Sequence, residues 1–165
     1  MSGDLDRIVL DNTFVSTLQQ AHALDRVLGL WPGRWVVPLA VIDEAATWKV
    51  HGTRVTALLR RLETAKAVEI TTIDPRTEGA LFARLARRLG QGESAVITIA
   101  YHRGHAAALD DRRARRSCDA LIPPVRWLPT ERILSEAVNS GLLQRSEAEH
   151  IWQATGITDP ARRIE

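Results

Sequence analysis

Arg7-Ile8-Val9-Leu10-Asp11 is a short, largely aliphatic run that closes on an aspartate. It reads as a buried strand whose carboxyl end delivers Asp11 to a surface. Residues 12 to about 27 follow with Phe14, Leu18, Ala21 and Leu24 at helical spacing, which predicts one helix ended by Gly29 and Trp31-Pro32-Gly33. Arg34-Trp35-Val36-Val37 is a second strand. Pro38 opens the next helix, where a missing N–H does no harm. Val41, Ala45 and Trp48 share one face of it up to Gly52, and Glu44 lies beside that face.

The same alternation continues outward. Val55, Leu58, Leu59 and Leu62 predict an amphipathic helix, and Val68-Glu69-Ile70-Thr71 alternates like a strand. Asp74-Pro75 signals a helix running to Leu89 and stopped by Gly90. Gly92-Glu93 opens another, closed by Gly104, after which Ala106-Ala107-Ala108-Leu109 reads as a strand ending in Asp110-Asp111. Val125-Arg126-Trp127-Leu128 is a last strand. Two C-terminal helices are expected at about 131–139 and 147–154, the second announced by the capping-box pattern Ser146-x-x-Glu149. Strands alternating with helices predict an α/β fold, a short parallel sheet covered on both faces.

With 165 residues, 45% hydrophobic and 25% charged, the chain has the makeup of one globular unit and excludes disordered and fibrous classes. No apolar stretch is long enough to span a membrane, and the start lacks the layout of a secretory leader, so a cytoplasmic protein with no membrane partner is expected. A single cysteine, Cys118, precludes an internal disulfide and a cysteine-rich zinc site. The five histidines show no His-Glu-x-x-His spacing, and His102 and His105 are the only two that sit three apart. The net charge is only +2, but arginines cluster at 60–61, 87–88, 112–113 and 115–116. Arginine pairs bidentately with phosphate.

The acids carry the chemistry. In open parallel sheets ligands bind outside the carboxyl ends of the strands, where Asp11 and the Asp110-Asp111 pair both fall. Glu44 and Glu93 can complete a ring of carboxylates that cannot all stay ionised together without a cation. Mg²⁺ or Mn²⁺ suits oxygen donors and activates water against a phosphodiester. Each acid also has a plainer reading: Asp11 as the cap of the following helix, Glu44 as a solvated residue, Glu93 as a first-turn helix acid, and Asp110-Asp111 as a capping turn. Arg112, Arg113, Arg115 and Arg116 directly follow the acidic edge and can neutralise phosphates or form a solvated helix face.

Four segments together resemble the PIN-domain ribonucleases, especially the bacterial branch that looks like the toxin half of toxin-antitoxin pairs. They are Val9-Leu10-Asp11-Asn12-Thr13, Val37-Pro38-Leu39-Ala40-Val41-Ile42-Asp43-Glu44, Leu89-Gly90-Gln91-Gly92-Glu93-Ser94-Ala95 and Leu109-Asp110-Asp111-Arg112-Arg113-Ala114-Arg115. The resemblance implies a three-layer α/β/α sandwich as one PIN-like domain over residues 1–165, with a catalytic core at about 7–128 and a helical tail at about 129–165. It also implies that Asp11, Glu44, Glu93 and Asp111 are catalytic and hold Mg²⁺ or Mn²⁺, with Thr13 helping to orient the first acid. Asp110 competes with Asp111, because the commoner pattern has one aspartate after a hydroxyl residue. Arg115 matches the family's spacing from the acids, and Arg112 and Arg116 join it as candidate RNA-phosphate contacts. The implied activity is metal-dependent endoribonuclease cleavage, with RNA as substrate and a cognate antitoxin as partner.

Other readings fit less well. Phosphatases that use an aspartate nucleophile on the first strand need a second acid two residues on, where Thr13 stands. Gly90-Gln91-Gly92 is neither a dinucleotide fingerprint nor a P-loop. The rival of another class is a non-catalytic RNA- or protein-binding module on the same fold. Ile133, Leu134, Ala137, Val138, Leu142, Leu143, Ile151 and Trp152 offer a surface for homodimerisation or an antitoxin helix.

Overall fold

The computed structural model describes residues 7–47, 52–157 and 162–164. Trp48 and His51 lie outside the described residues. Five strands form one sheet in the order β3-β2-β1-β4-β5: β1 (Ile8–Leu10), β2 (Trp35–Pro38), β3 (Val68–Thr71), β4 (Ala106–Ala108) and β5 (Trp127–Leu128). Every pairing is parallel, with Ile8 opposite both Trp35 and Ala106. Helices cover both sides, so the architecture is the expected α/β/α sandwich. The central strands are buried on both faces, which is why they read as unbroken apolar runs.

The helices are α1 (Asn12–Gln20), α2 (Leu24–Leu28), α3 (Leu39–Ala46), α4 (Gly52–Thr64), α5 (Gly79–Ala86), α6 (Gln91–Arg103), α7 (Arg112–Asp119), α8 (Thr130–Asn139) and α9 (Arg145–Ala154). The single helix expected at 12–27 is two. His22 sits at φ 55°, and the Ala23 N–H bonds back to the Leu18 carbonyl at 2.9 Å, closing α1 before α2 begins. Asp74 caps a turn as expected, accepting from the Arg76 N–H at 2.9 Å and the Thr77 hydroxyl at 3.0 Å, but the regular helix starts only at Gly79 and ends at Ala86. Pro38 ends β2 and precedes α3 rather than opening it. The last strand is reduced to Trp127 and Leu128. Gln144 is the N-cap of α9 and gives no side-chain cap, so Ser146 lies inside the helix and forms no capping box.

Trp35 anchors the core: its ring is fully buried, stacks near Phe14 at 6.2 Å and donates Nε1–H to the Leu28 carbonyl at 2.7 Å. Beyond β5, Ile133, Leu134, Ala137, Leu143, Ile151 and Trp152 are buried within this same chain, and Val138 and Leu142 pack against them. The apolar tail offered as a partner surface is therefore folded inward, with α8 on α2 and α9 on α1. Cys118 is likewise buried, which pushes its thiol up to about 12 and leaves it unreactive. Among the described residues no helix is long and apolar enough to cross a membrane.

The strand order has one consequence for ligands. The chain steps outward from β1 through β2 to β3, then crosses back to lay β4 on the other side of β1. The sheet therefore reverses between β1 and β4, and their carboxyl ends flank the crevice where such sheets bind ligands.

Candidate active site

Asp11 follows β1 and is the N-cap of α1, its Oδ2 accepting from the Thr13 N–H at 3.4 Å. It is 3% exposed. Burial drives its carboxyl up to about 7; the Asn12 and Thr13 backbone N–H groups pull it down, and the charges of Glu93 and Glu44 push it further up. Thr13 thus supports Asp11 through its main chain. Capping and placement at the crevice are the same arrangement, so the two readings of Asp11 do not compete.

Glu93 is in the first turn of α6, where its Oε2 accepts from the Gly90 N–H at 3.3 Å. Burial raises its carboxyl first, then Asp111 and Glu44 do, against the Gly90 N–H and the charge of Arg113. Asp111 is exposed and caps α7 through Oδ1, which accepts from the Arg113 N–H at 2.7 Å and the Ala114 N–H at 2.9 Å. Glu44 comes from α3 and reaches across to α6, Oε1 accepting from the Gly92 N–H at 2.8 Å and Oε2 from the Asn12 side-chain amide at 3.2 Å.

Asn12 and Gly92 escaped the sequence reading as site residues, although both sit inside segments it singled out. A Cβ at Gly92 would come within 2.6 Å of Glu44 Oε2, so the absent side chain is what lets the carboxylate dock. Gly92→Ala is therefore expected to dislodge Glu44. The displaced atoms end a flexible side chain and alanine favours the helix, so stability should change by less than about 1 kcal/mol. Thermal melting checks the stability, and if the crevice is a nuclease centre, cleavage should fall about 100-fold. A variant with undiminished cleavage would remove Glu44 placement from the account.

Asp110 is separated from its neighbour by what it touches. Its side chain is 7% exposed, its Oδ1 accepts from the Thr130 N–H at 3.1 Å and from Arg162 Nη2 at 2.6 Å, and its Oδ2 accepts from the Thr130 hydroxyl. Arg162 also binds Glu131 through Nε and Nη2, both at 2.7 Å, and lies over the Trp152 ring at 5.1 Å. Asp110 is thus a member of a buried ion cluster, while Asp111 faces solvent. The arginines divide as well. Arg112, Arg113 and Arg116 are exposed, whereas Arg115 is half-buried with its guanidinium 4.9 Å from the Trp127 ring centre.

Asp11, Glu44, Glu93 and Asp111 form no ion pair among the described residues, although Asp110, Glu78, Glu131 and Glu147 all do. These four acids, none with a direct ion-pair partner among the described residues, are oxygen donors of the type that hard cations take. No described group of three or more His, Cys, Asp or Glu side chains forms a ready-made metal cage.

A parallel α/β/α sheet with acids gathered at its switch point presents a ligand-binding crevice at the carboxyl ends of β1 and β4. The family model for the PIN domain matches residues 7–154, and the chain belongs to the PIN-domain family. PIN domains are generally nucleases that act on nucleic acid and typically use divalent metals. No curated protein matches the chain.

Proposed function

We propose that the protein is a Mg²⁺- or Mn²⁺-dependent endoribonuclease and the toxin of a toxin-antitoxin pair. The observation that supports the catalytic reading best is the convergence of Asp11, Glu44, Glu93 and Asp111, none of them ion-paired, at the carboxyl ends of β1 and β4. Asp11, Glu93 and Asp111 would hold the ion, and Glu44, fixed by Gly92 and Asn12, would complete the set or orient its waters. A bound divalent cation supplies Lewis-acid activation of water and neutralises charge developing on the phosphate. Asp111 is positioned by the α7 N-terminus, and the exposed Arg112, Arg113 and Arg116 extend from that helix as partners for flanking phosphates. Arg115 would act through Trp127 on the shape of this helix unless it leaves the ring.

The four segments that resemble the toxin branch carry the toxin assignment and the cognate antitoxin. Because the apolar faces of α8 and α9 are occupied internally, an antitoxin or a second copy of the chain in a homodimer would have to engage another surface. The deciding experiment incubates purified protein with total cellular RNA in Mn²⁺ or Mg²⁺, with a chelator and a folded Asp11→Asn variant as controls. Discrete fragments that disappear in both controls are the expected result. No cleavage by the folded wild-type protein would transfer the assignment to a non-catalytic binding module.

A further inference from the structure

Beside Glu44 a trough of about 600 Å³ opens between the start of α3, the loop after β3, and α5. Its walls include Leu39, Ile73, Pro75 and Phe82, and its polar lining residues are Asp43, Glu44, Gln91 and the threonines at 47, 71 and 72. Three observations restrict what it can hold. First, Glu44 lines both this trough and the acidic crevice, so a chain with one phosphodiester at the crevice brings its adjoining nucleoside here. Second, two carboxylates and no Lys or Arg line it among the described residues, which disfavours a phosphate and suits a neutral group rich in N–H donors. Third, Phe82 is the one described Phe, Tyr or Trp ring that does not pack on the core; it is partly exposed and free to stack.

The wall is also held in place. Arg103, at the far end of α6, donates to Glu78 at 2.7 Å, to the Thr71 hydroxyl at 2.8 Å and to the Thr72 carbonyl at 2.8 Å, fixing the loop from β3 to α5. Asp43 has no hydrogen-bond or ion-pair partner among the described residues. An unengaged carboxylate at the mouth of an apolar slot accepts best from two adjacent N–H groups, and guanine is the base whose pairing edge places a ring N–H beside an amino group.

Resting on the nuclease reading above, we propose that this trough receives an unpaired base of single-stranded RNA, guanine by preference, stacked on Phe82 and read by Asp43, and so selects the position of the cut.

The test uses fluorescein-labelled oligouridine carrying one guanosine, one abasic residue at the same place, or neither, with binding followed by anisotropy in Ca²⁺. The guanosine oligomer should bind about ten-fold more tightly than the abasic one. Phe82→Ala should lose about ten-fold on guanosine and nothing on the abasic oligomer, with Phe82→Leu as a second variant if alanine disturbs folding. Asp43→Asn should erase the preference for guanosine over uridine while leaving the abasic oligomer unchanged. Equal affinity for the three oligomers, or a Phe82 effect that is the same on all of them, would overturn the proposal and leave the trough to a peptide side chain or to no ligand. Base-dependent binding without cleavage in Mg²⁺ or Mn²⁺ would retain the base-binding trough, discard the nuclease assignment and overturn the selection of the cut. Cleavage indifferent to Phe82 and to the base would do the reverse.

Discussion

Asp11→Asn should abolish cleavage and, in the absence of divalent ions, make the protein more stable at pH 8. The Asp11 carboxyl stands at about 7 in the fold against an ordinary 3.8, chiefly because it is buried. Between those values the unfolded chain has released a proton that the folded chain still holds. The wild-type fold therefore loses stability as pH rises from about 4 through 7, at roughly 1.4 kcal/mol per unit, to a total of about 4 kcal/mol. Asparagine keeps the acceptor for the Thr13 N–H and carries no charge, so the variant escapes that loss. The two proteins should be nearly equal at pH 3 to 4 and diverge above pH 6. Urea titrations in chelator at pH 4, 6 and 8 measure this, and repeating them in Mg²⁺ should return stability to the wild type alone. An asparagine variant no more stable at pH 8 would mean that Asp11 is not strained by its charge, and one equally stabilised by Mg²⁺ would mean that Asp11 is not a cation ligand.

Arg162→Ala is expected to cost about 3 to 5 kcal/mol, because it strips the counter-charge from two nearly buried carboxylates at once. Asp110 and Glu131 are 7% and 11% exposed at the side chain, and Arg162 joins them while covering the Trp152 ring. For a chain of this size the melting temperature should fall by roughly 10 °C. Adding Asp110→Asn to the arginine variant should recover part of the loss, since one of the uncompensated charges is then gone. A drop below about 1 kcal/mol in the single variant would show that water, rather than Arg162, satisfies both acids. Arg162 lies beyond residues 7–154 matched by the family model, whereas Asp110 and Glu131 lie within them.

The contrast between Asp110 and Asp111 also marks what local sequence can convey. Strand runs such as Ile8-Val9-Leu10, the Gly104 stop at φ 68° and the placement of Asp11, Glu93 and Asp111 beside strand or helix ends depend on near neighbours, and all were legible. The partners of Asp110 stand 20 and 52 positions away, so nothing beside it says which aspartate is engaged. Glu44 is similarly held by Gly92, 48 positions on. The break at His22 escaped for another reason: Leu18 and Leu24 bury into one core on either side of it, so the helical spacing continues through a residue that is not glycine. Ser146 failed as a cap because its spacing to Glu149 fits the motif although both lie inside α9.

The pairing of Ile8 with Ala106 places the first strand against one that follows nearly a hundred residues later. During synthesis the β1, β2 and β3 segments emerge well before β4 does, and until then one edge of β1 has no partner and Asp11 has no Asp111 opposite it. A ribosome-bound chain halted before residue 106 thus exposes a bare strand edge and lacks one of the four acids, Asp111. Long-range closure of this kind also slows folding. Were the protein the ribonuclease proposed above, a growing polypeptide held beside ribosomal and messenger RNA would thereby be kept from attacking them until its translation is well advanced.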